Sequence, residues 1–294
     1  MRPILVFVAT AYTLSIALSL IVGLTGGHQS PLFGLAYLSM LVPAAAVAFV
    51  SSTMNEPPLV QWNRFPLRYL PVALFLIPGV QHAVMLPLAS ASPAGVQWQD
   101  WLTPSADGLY HTPDARGWGA LTFQGLVGRI VLNAIVGLAA NSVMAFFEEI
   151  GWRGWLLPRL CLRAGPRRAV VATAIVWGFW HVPFQLSGIQ HIDFVSSLRL
   201  ALTFPFGIMI TGLIIGWLWV RTGSIWLVSL AHGALNSWGQ YAFKFMKDST
   251  TPAAVDSDLA LLRAASPALL AVGIVLLWRG VPPRADLASR AASD

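Results

Sequence analysis

Eight runs of apolar residues alternate with short polar breaks along the chain, at roughly 4–24, 33–53, 70–91, 126–157, 169–187, 198–220, 224–245 and 264–280. A helix of about 20 apolar residues spans the ~30 Å hydrocarbon layer of a bilayer. The pattern therefore predicts an all-α fold, a polytopic transmembrane bundle of about eight spanning helices. The fourth run is long and the fifth short. No internal repeat or low-complexity tract interrupts the series.

Composition strengthens this picture: 56% of the 294 residues are hydrophobic and 10% are charged, against about 25% charged in soluble domains. A water-soluble globular fold is excluded, and no polar stretch is long or regular enough to build a second core. One domain is expected, in three stretches: 1–125 with the first helices and a long loop, 126–246 as the central part, and 247–294 with the last helix and a polar tail. The first run exceeds the ~7–15 residue core of a signal peptide, so it reads as a membrane helix.

Charge sets the orientation. Arg64 and Arg68, then Arg159, Arg163, Arg167 and Arg168, then Arg221, then Arg279, Arg284 and Arg290 all fall on one side if the N-terminus is cytoplasmic, as the excess of basic residues in cytoplasmic loops requires. Both termini then lie in the cytoplasm of a multi-pass protein of the cell membrane, read as a bacterial inner membrane. The opposite side receives Asp100, Asp107 and Asp114, and a second group of Asp248, Asp256 and Asp258. The Arg residues are scattered between apolar segments, which orients helices and gives no nucleic-acid surface. Trp98, Trp101 and Trp118 suit the 92–124 loop to an interfacial position. Cys161 is alone, so an intrachain disulfide is excluded.

Ionisable groups at membrane depth are costly and mark functional interiors. The chain has three glutamates, and two of them, Glu148 and Glu149, are adjacent in the fourth run with Arg153 close behind. His181 and His232 each lie in a separate apolar run. At 1.5 Å per residue, Glu148 is ~16 Å from Arg159, His181 ~20 Å from Arg168 and His232 ~16 Å from Arg221. All three groups therefore share one layer, as a buried polar site demands. Glu149 and Arg153 stand at i, i+4 and can pair, while Glu148 is rotated by about 100° and left to face a pocket as a general base. His232 and Asn236, also at i, i+4, present two donors suited to an oxyanion. The plainer readings are a structural ion pair for Glu149 with Arg153 and an interhelical hydrogen bond for Asn236. His82, beside Pro78-Gly79, reads as a core hydrogen-bonding residue, and His28, His111 and His191 carry no motif. Pro183 disrupts the helix just after His181.

Three motifs, Glu148-Glu-x-x-x-Arg153, Trp177-x-x-x-His181 and His232-x-x-x-Asn236, in this order on separate helices, resemble those of the CPBP (CAAX protease and bacteriocin-processing, or Abi) family of intramembrane metalloproteases. The resemblance covers about a third of the chain, from Phe146 to Asn236, and departs where Trp177 stands in a place more often held by Phe. It implies that 126–246 is a CAAX-protease-like catalytic core hydrolysing peptide bonds of membrane-associated or lipidated substrates, with the bilayer and a peptide or protein as partners. Glu148 with His181 would activate water, His232 and Asn236 would hold the oxyanion, and Arg153 would orient Glu149. Zn2+ is an open cofactor: Glu148, His181 and His232 have the His₂Glu composition of a catalytic zinc site, although HExxH spacing is absent. Two other readings stand beside it, a non-catalytic scaffold or bacteriocin self-immunity protein of the same fold, and a proton-coupled transporter.

Overall fold

The computed structural model describes residues 1–27, 30–91, 104–111, 120–187, 194–238 and 252–280. Among them, six helices are long and apolar enough to cross a membrane: Arg2–Leu24, Leu67–Met85, Phe123–Ala164, Pro166–Ser187, Ala201–Thr222 and Arg263–Gly280. The expected multi-pass α-helical bundle is present. The outer faces stay apolar, with Leu5, Leu20, Ile135, Val143, Phe206 and Trp278 more than half or nearly half exposed, which suits contact with lipid and not with water.

The regular helices are α1 (Arg2–Leu24), α2 (Val42–Met54), α3 (Ile77–Ala91), α4 (Phe123–Leu132), α5 (Leu138–Glu149), α6 (Leu157–Ala164), α7 (Pro166–Trp180), α8 (Val182–Ser187), α9 (Phe194–Thr222), α10 (Ile225–Ser237) and α11 (Pro252–Gly280). In two of the eight apolar runs the described residues form helices shorter than a full crossing. Ser39–Met54 is a short apolar helix, and α10 has 13 residues, about 20 Å at the usual rise. Almost every residue of α10 is buried, so its all-round apolar character reflects enclosure by other helices. Hydropathy alone does not distinguish these two kinds of burial. In the other direction, α11 starts at Pro252, before the expected 264, and carries Asp256 and Asp258 within the helix.

Much of the predicted 92–124 loop, including Trp98, Trp101 and Trp118, lies outside the described residues, as do Asp100, Asp114, Asp248, His28, His191 and the tail from 281. The described part of the loop contains a short antiparallel pair, β1 (Tyr110–His111) with β2 (Ala120–Leu121), in the register Tyr110↔Leu121.

Phe123–Ala164 is 42 residues long and is widened by π-helical turns at Asn133–Gly137 and Ile150–Leu156. Such turns occur often at functional positions, and the second follows Glu149 directly. Its aromatic side chains anchor it: Trp152 and Trp155 are fully buried, and Phe7 of α1 stacks on Trp155 at 4.7 Å and meets Trp152 edge-on at 5.6 Å.

An extended strap from Asn55 to Pro66 ties together one end of the bundle. Leu59 N donates to Gly154 O at 2.8 Å, Trp155 Nε1 donates to Glu56 O at 2.7 Å, and Arg159 holds the Glu56 carboxylate at 2.8 Å. Further along, Trp226 Nε1 donates to Trp62 O at 2.8 Å, and Arg64 Nε donates to Thr222 O. The α9–α10 turn turns sharply at Gly223, whose φ of +65° is a conformation that glycine adopts without steric cost. Ser224 then caps α10 by accepting from Leu227 N at 3.3 Å.

Helices α5 and α10 touch backbone to side chain at Gly233. A Cβ there would meet Ser142 Oγ and lie 2.6 Å from the Ser142 backbone nitrogen, which cannot move aside. Gly233→Ala is therefore expected to lower stability by about 1–3 kcal/mol, the usual cost of overpacking, read as a lower thermal midpoint in detergent. Gly79→Ala, where nothing lies within 4 Å of the added carbon, should leave that midpoint the same or slightly higher, since alanine favours a helix over glycine.

Candidate active site

The close α5–α10 approach brings Glu149 and His232 together. Glu149 Oε1 accepts from Arg153 Nη1 at 2.7 Å and from His232 Nδ1 at 2.9 Å. The Glu149 and Arg153 side chains are fully buried, and His232 is 4% exposed. Ion pairs this far from water are stable only when both charges are matched and hydrogen-bonded. Arg153 Nε and Nη2 make no hydrogen bond within the protein; the guanidinium lies instead over the Trp177 ring, 4.5 Å from its centroid, where the negative π face attracts it.

Glu148 is held differently. Its Oε2 accepts from the indole Nε1 of Trp177 at 3.0 Å, a neutral donor from α7, and the residue is 2% exposed. Its rotation away from the Glu149–Arg153 pair gives the two adjacent carboxylates distinct surroundings.

His181 sits at the interruption between α7 and α8. Its backbone N donates to Gly178 O at 3.2 Å and its carbonyl accepts from Gln185 N at 3.0 Å, so the chain passes through the break without losing direction. Pro183 supplies no N–H to the preceding turn. The His181 ring donates from Nδ1 to the carbonyl oxygen of Trp177 at 2.9 Å, which leaves Nε2 as the outward nitrogen. The ring is half-buried and packs edge-on to Trp177 at 5.5 Å and Trp180 at 5.0 Å.

Of the sequence-predicted residues, Glu149, Arg153 and His232 are in direct contact, and Glu148 and His181 are joined through Trp177. Asn236 lies one helical turn beyond His232 on α10 and is half-buried. Trp177, which the motif comparison noted only for its identity, proves to touch four of these groups. Its i, i+4 spacing to His181 was the available signal, but nothing in the sequence shows that an indole N–H reaches Glu148 across helices. Among the described residues no three His, Cys, Asp or Glu side chains stand close enough to hold a metal ion, and Glu148, His181 and His232 are not gathered into such a group. His82 has a structural place: Nδ1 donates to Pro78 O at 2.9 Å and the ring stacks on Trp238 at 5.7 Å.

Removing one partner from a buried pair leaves the other charge uncompensated, at a cost of about 3–5 kcal/mol. Arg153→Ala is accordingly expected to destabilise the folded protein far more than Arg163→Ala, whose Nη1 makes a single part-buried bond to Arg159 O. Chemical or thermal unfolding in detergent micelles measures both.

Residues 129–238 match the family described as Type II CAAX prenyl endopeptidase Rce1-like. A stretch of 95 residues, 31% of this chain, is 34% identical to the CAAX prenyl protease 2 of Methanococcus maripaludis. The alignment spans about a third (35%) of that relative's length. Glu148, Glu149, Arg153, Trp177, His181, His232 and Asn236 all lie inside the matched segment, which is the part of the chain similar to CAAX prenyl endopeptidases.

Proposed function

We propose that the protein is an intramembrane endopeptidase that cleaves peptide bonds of membrane-associated or lipidated substrates with water activated by Glu148 and His181. The observation that carries this reading is the shared anchorage of those two groups on Trp177: one donates to a Glu148 oxygen and one accepts from His181 Nδ1. In this reading the second carboxylate oxygen and His181 Nε2 are the ends that engage the water. A general base needs such a fixed position within hydrogen-bond reach of the proton it removes.

In this mechanism Glu148 takes a proton from water while the oxygen forms a bond to the peptide carbonyl carbon. The carbonyl π electrons move onto oxygen, and the oxyanion is stabilised by the Asn236 amide N–H together with His232, which donates from Nε2 when its ring carries both protons, Nδ1 being held by Glu149. Collapse of the tetrahedral intermediate breaks the C–N bond, and the proton held by Glu148 passes to the leaving amine. Arg153 keeps Glu149 in place for His232. Prenylated substrates of the kind named for the archaeal relative are the first class to test.

The arginine distribution supports cytoplasmic termini in a cell membrane, read as a bacterial inner membrane, with the site entered from the cytoplasmic side. A metal-dependent version of the same proposal would need Glu148, His181 and His232 to draw together around zinc, a grouping they do not make among the described residues.

The test is cleavage of a membrane-anchored peptide library, prenylated members included, by the purified chain in proteoliposomes. Glu148→Ala and His181→Ala are each expected to reduce turnover by about 10²–10⁴-fold, the usual contribution of general acid–base groups. Undiminished cleavage in both variants overturns the assignment, and absence of cleavage together with an unchanged cellular phenotype in Glu148→Ala favours a non-catalytic scaffold. Activity that a chelator abolishes and zinc restores selects the metal-dependent version.

A further inference from the structure

Trp177 contacts every charged or titratable member of the site other than Glu149. Its Nε1 donates to Glu148 Oε2 at 3.0 Å and its carbonyl oxygen accepts from His181 Nδ1 at 2.9 Å. Its ring carries the Arg153 guanidinium at 4.5 Å and meets the His232 ring edge-on at 5.2 Å. The residue is 1% exposed. Three of these four contacts are indifferent to the identity of the aromatic side chain, since any residue has the carbonyl and a phenyl ring also offers a π face and an edge. Only the bond to Glu148 needs an indole N–H.

That bond has a directional consequence. A carboxylate on a helix rotates about its terminal torsion, which is broad and roughly two-fold, and Arg153 is bonded to Glu149 and not to Glu148. Trp177 Nε1 is the hydrogen-bond donor shown to Glu148, so it is the group that selects which oxygen is engaged and which is presented.

We propose that Trp177 is a positioning residue: its indole N–H fixes the Glu148 carboxylate so that one oxygen is held and the other is aimed at the water beside His181. This rests on the proteolytic reading above. The role is separable from packing, because Trp177→Phe removes the donor and keeps the ring, the carbonyl acceptor, the cation contact and the edge contact with His232.

Two measurements on the full chain test it. In proteoliposomes, Trp177→Phe is expected to lower kcat about tenfold or more with KM within about twofold of the unsubstituted protein, since the substitution disturbs the reacting carboxylate and no substrate contact. Independently of activity, the indole N–H resonances of ¹⁵N-tryptophan-labelled protein in micelles report the bond. The Trp177 signal, assigned by its loss in Trp177→Phe, should lie downfield and move upfield in Glu148→Ala. An unmoved Trp177 resonance in Glu148→Ala overturns the bond and the proposal, and it does so even if Trp177→Phe proves too unstable for kinetics, because assignment can then be made by labelling the remaining tryptophan variants. Full kcat in Trp177→Phe, with Glu148→Ala inactive, overturns the positioning role while leaving the proteolytic reading intact. No cleavage by the unsubstituted protein overturns that reading instead, and the positioning role of Trp177 with it.

Discussion

A carboxylate with no exposure to solvent must be matched by positive charge or donors, and Glu149 meets that condition with Arg153 and His232 at one oxygen. The i, i+4 partner comes free with the helix, but His232 arrives from α10, 83 residues away. The bundle can satisfy the charge only if α10 lies close against α5. Gly233 next to His232 is what allows that approach, since Ser142 occupies the space a side chain would need. Electrostatics and packing thus impose the same geometry: the residue that must reach Glu149 is followed directly by the residue that lets its helix come near.

The same need for close approach recurs around the site. Gly151 lies against Pro43 of α2, with the nearest backbone atoms 3.0 Å from where a Cβ would stand, and Gly212 of α9 lies 2.9 Å by that measure from Ala174 Cβ of α7. Small residues bring membrane helices together where no hydrophobic driving force separates helix from lipid. The strap 55–66 adds a directional tie at one end of the bundle, bonding the segment just after Arg153 through Gly154 and the start of α10 through Trp226. The two elements that share the buried ion pair are therefore also fixed to a common third segment.

Much of this was legible in the amino-acid order, and the limits have physical causes. Helix periodicity is local, so the Glu149–Arg153 pair, the rotation of Glu148 and the break near Pro183 could be read directly. Helix rise placed the carboxylates and imidazoles in one layer, and the Glu149–His232 bond shows two of those helices meeting there. What the sequence does not encode locally is which side chains meet across helices. The indole of Trp177 reaching Glu148, and Glu56 of the strap reaching Arg159 over 103 positions, depend on the assembled bundle. The burial of α10 was not legible for a related reason: an apolar residue buried against protein and one facing lipid have the same hydropathy.

Two adjacent glutamates in one helix would be redundant if they met the same surroundings, and their neighbours differ in kind. Glu149 faces a guanidinium and an imidazole, so its charge is bound into the scaffold. Glu148 faces a neutral indole N–H, which orients the carboxylate without supplying a compensating charge. Environments that differ in this way are how neighbouring carboxyl groups come to serve separate tasks. The pair thus divides into one carboxylate that ties α5 to α10 through His232 and one that is bonded to α7 through Trp177. The 3.6-residue period forces the division, because it turns consecutive side chains about 100° apart toward α10 on one side and α7 on the other.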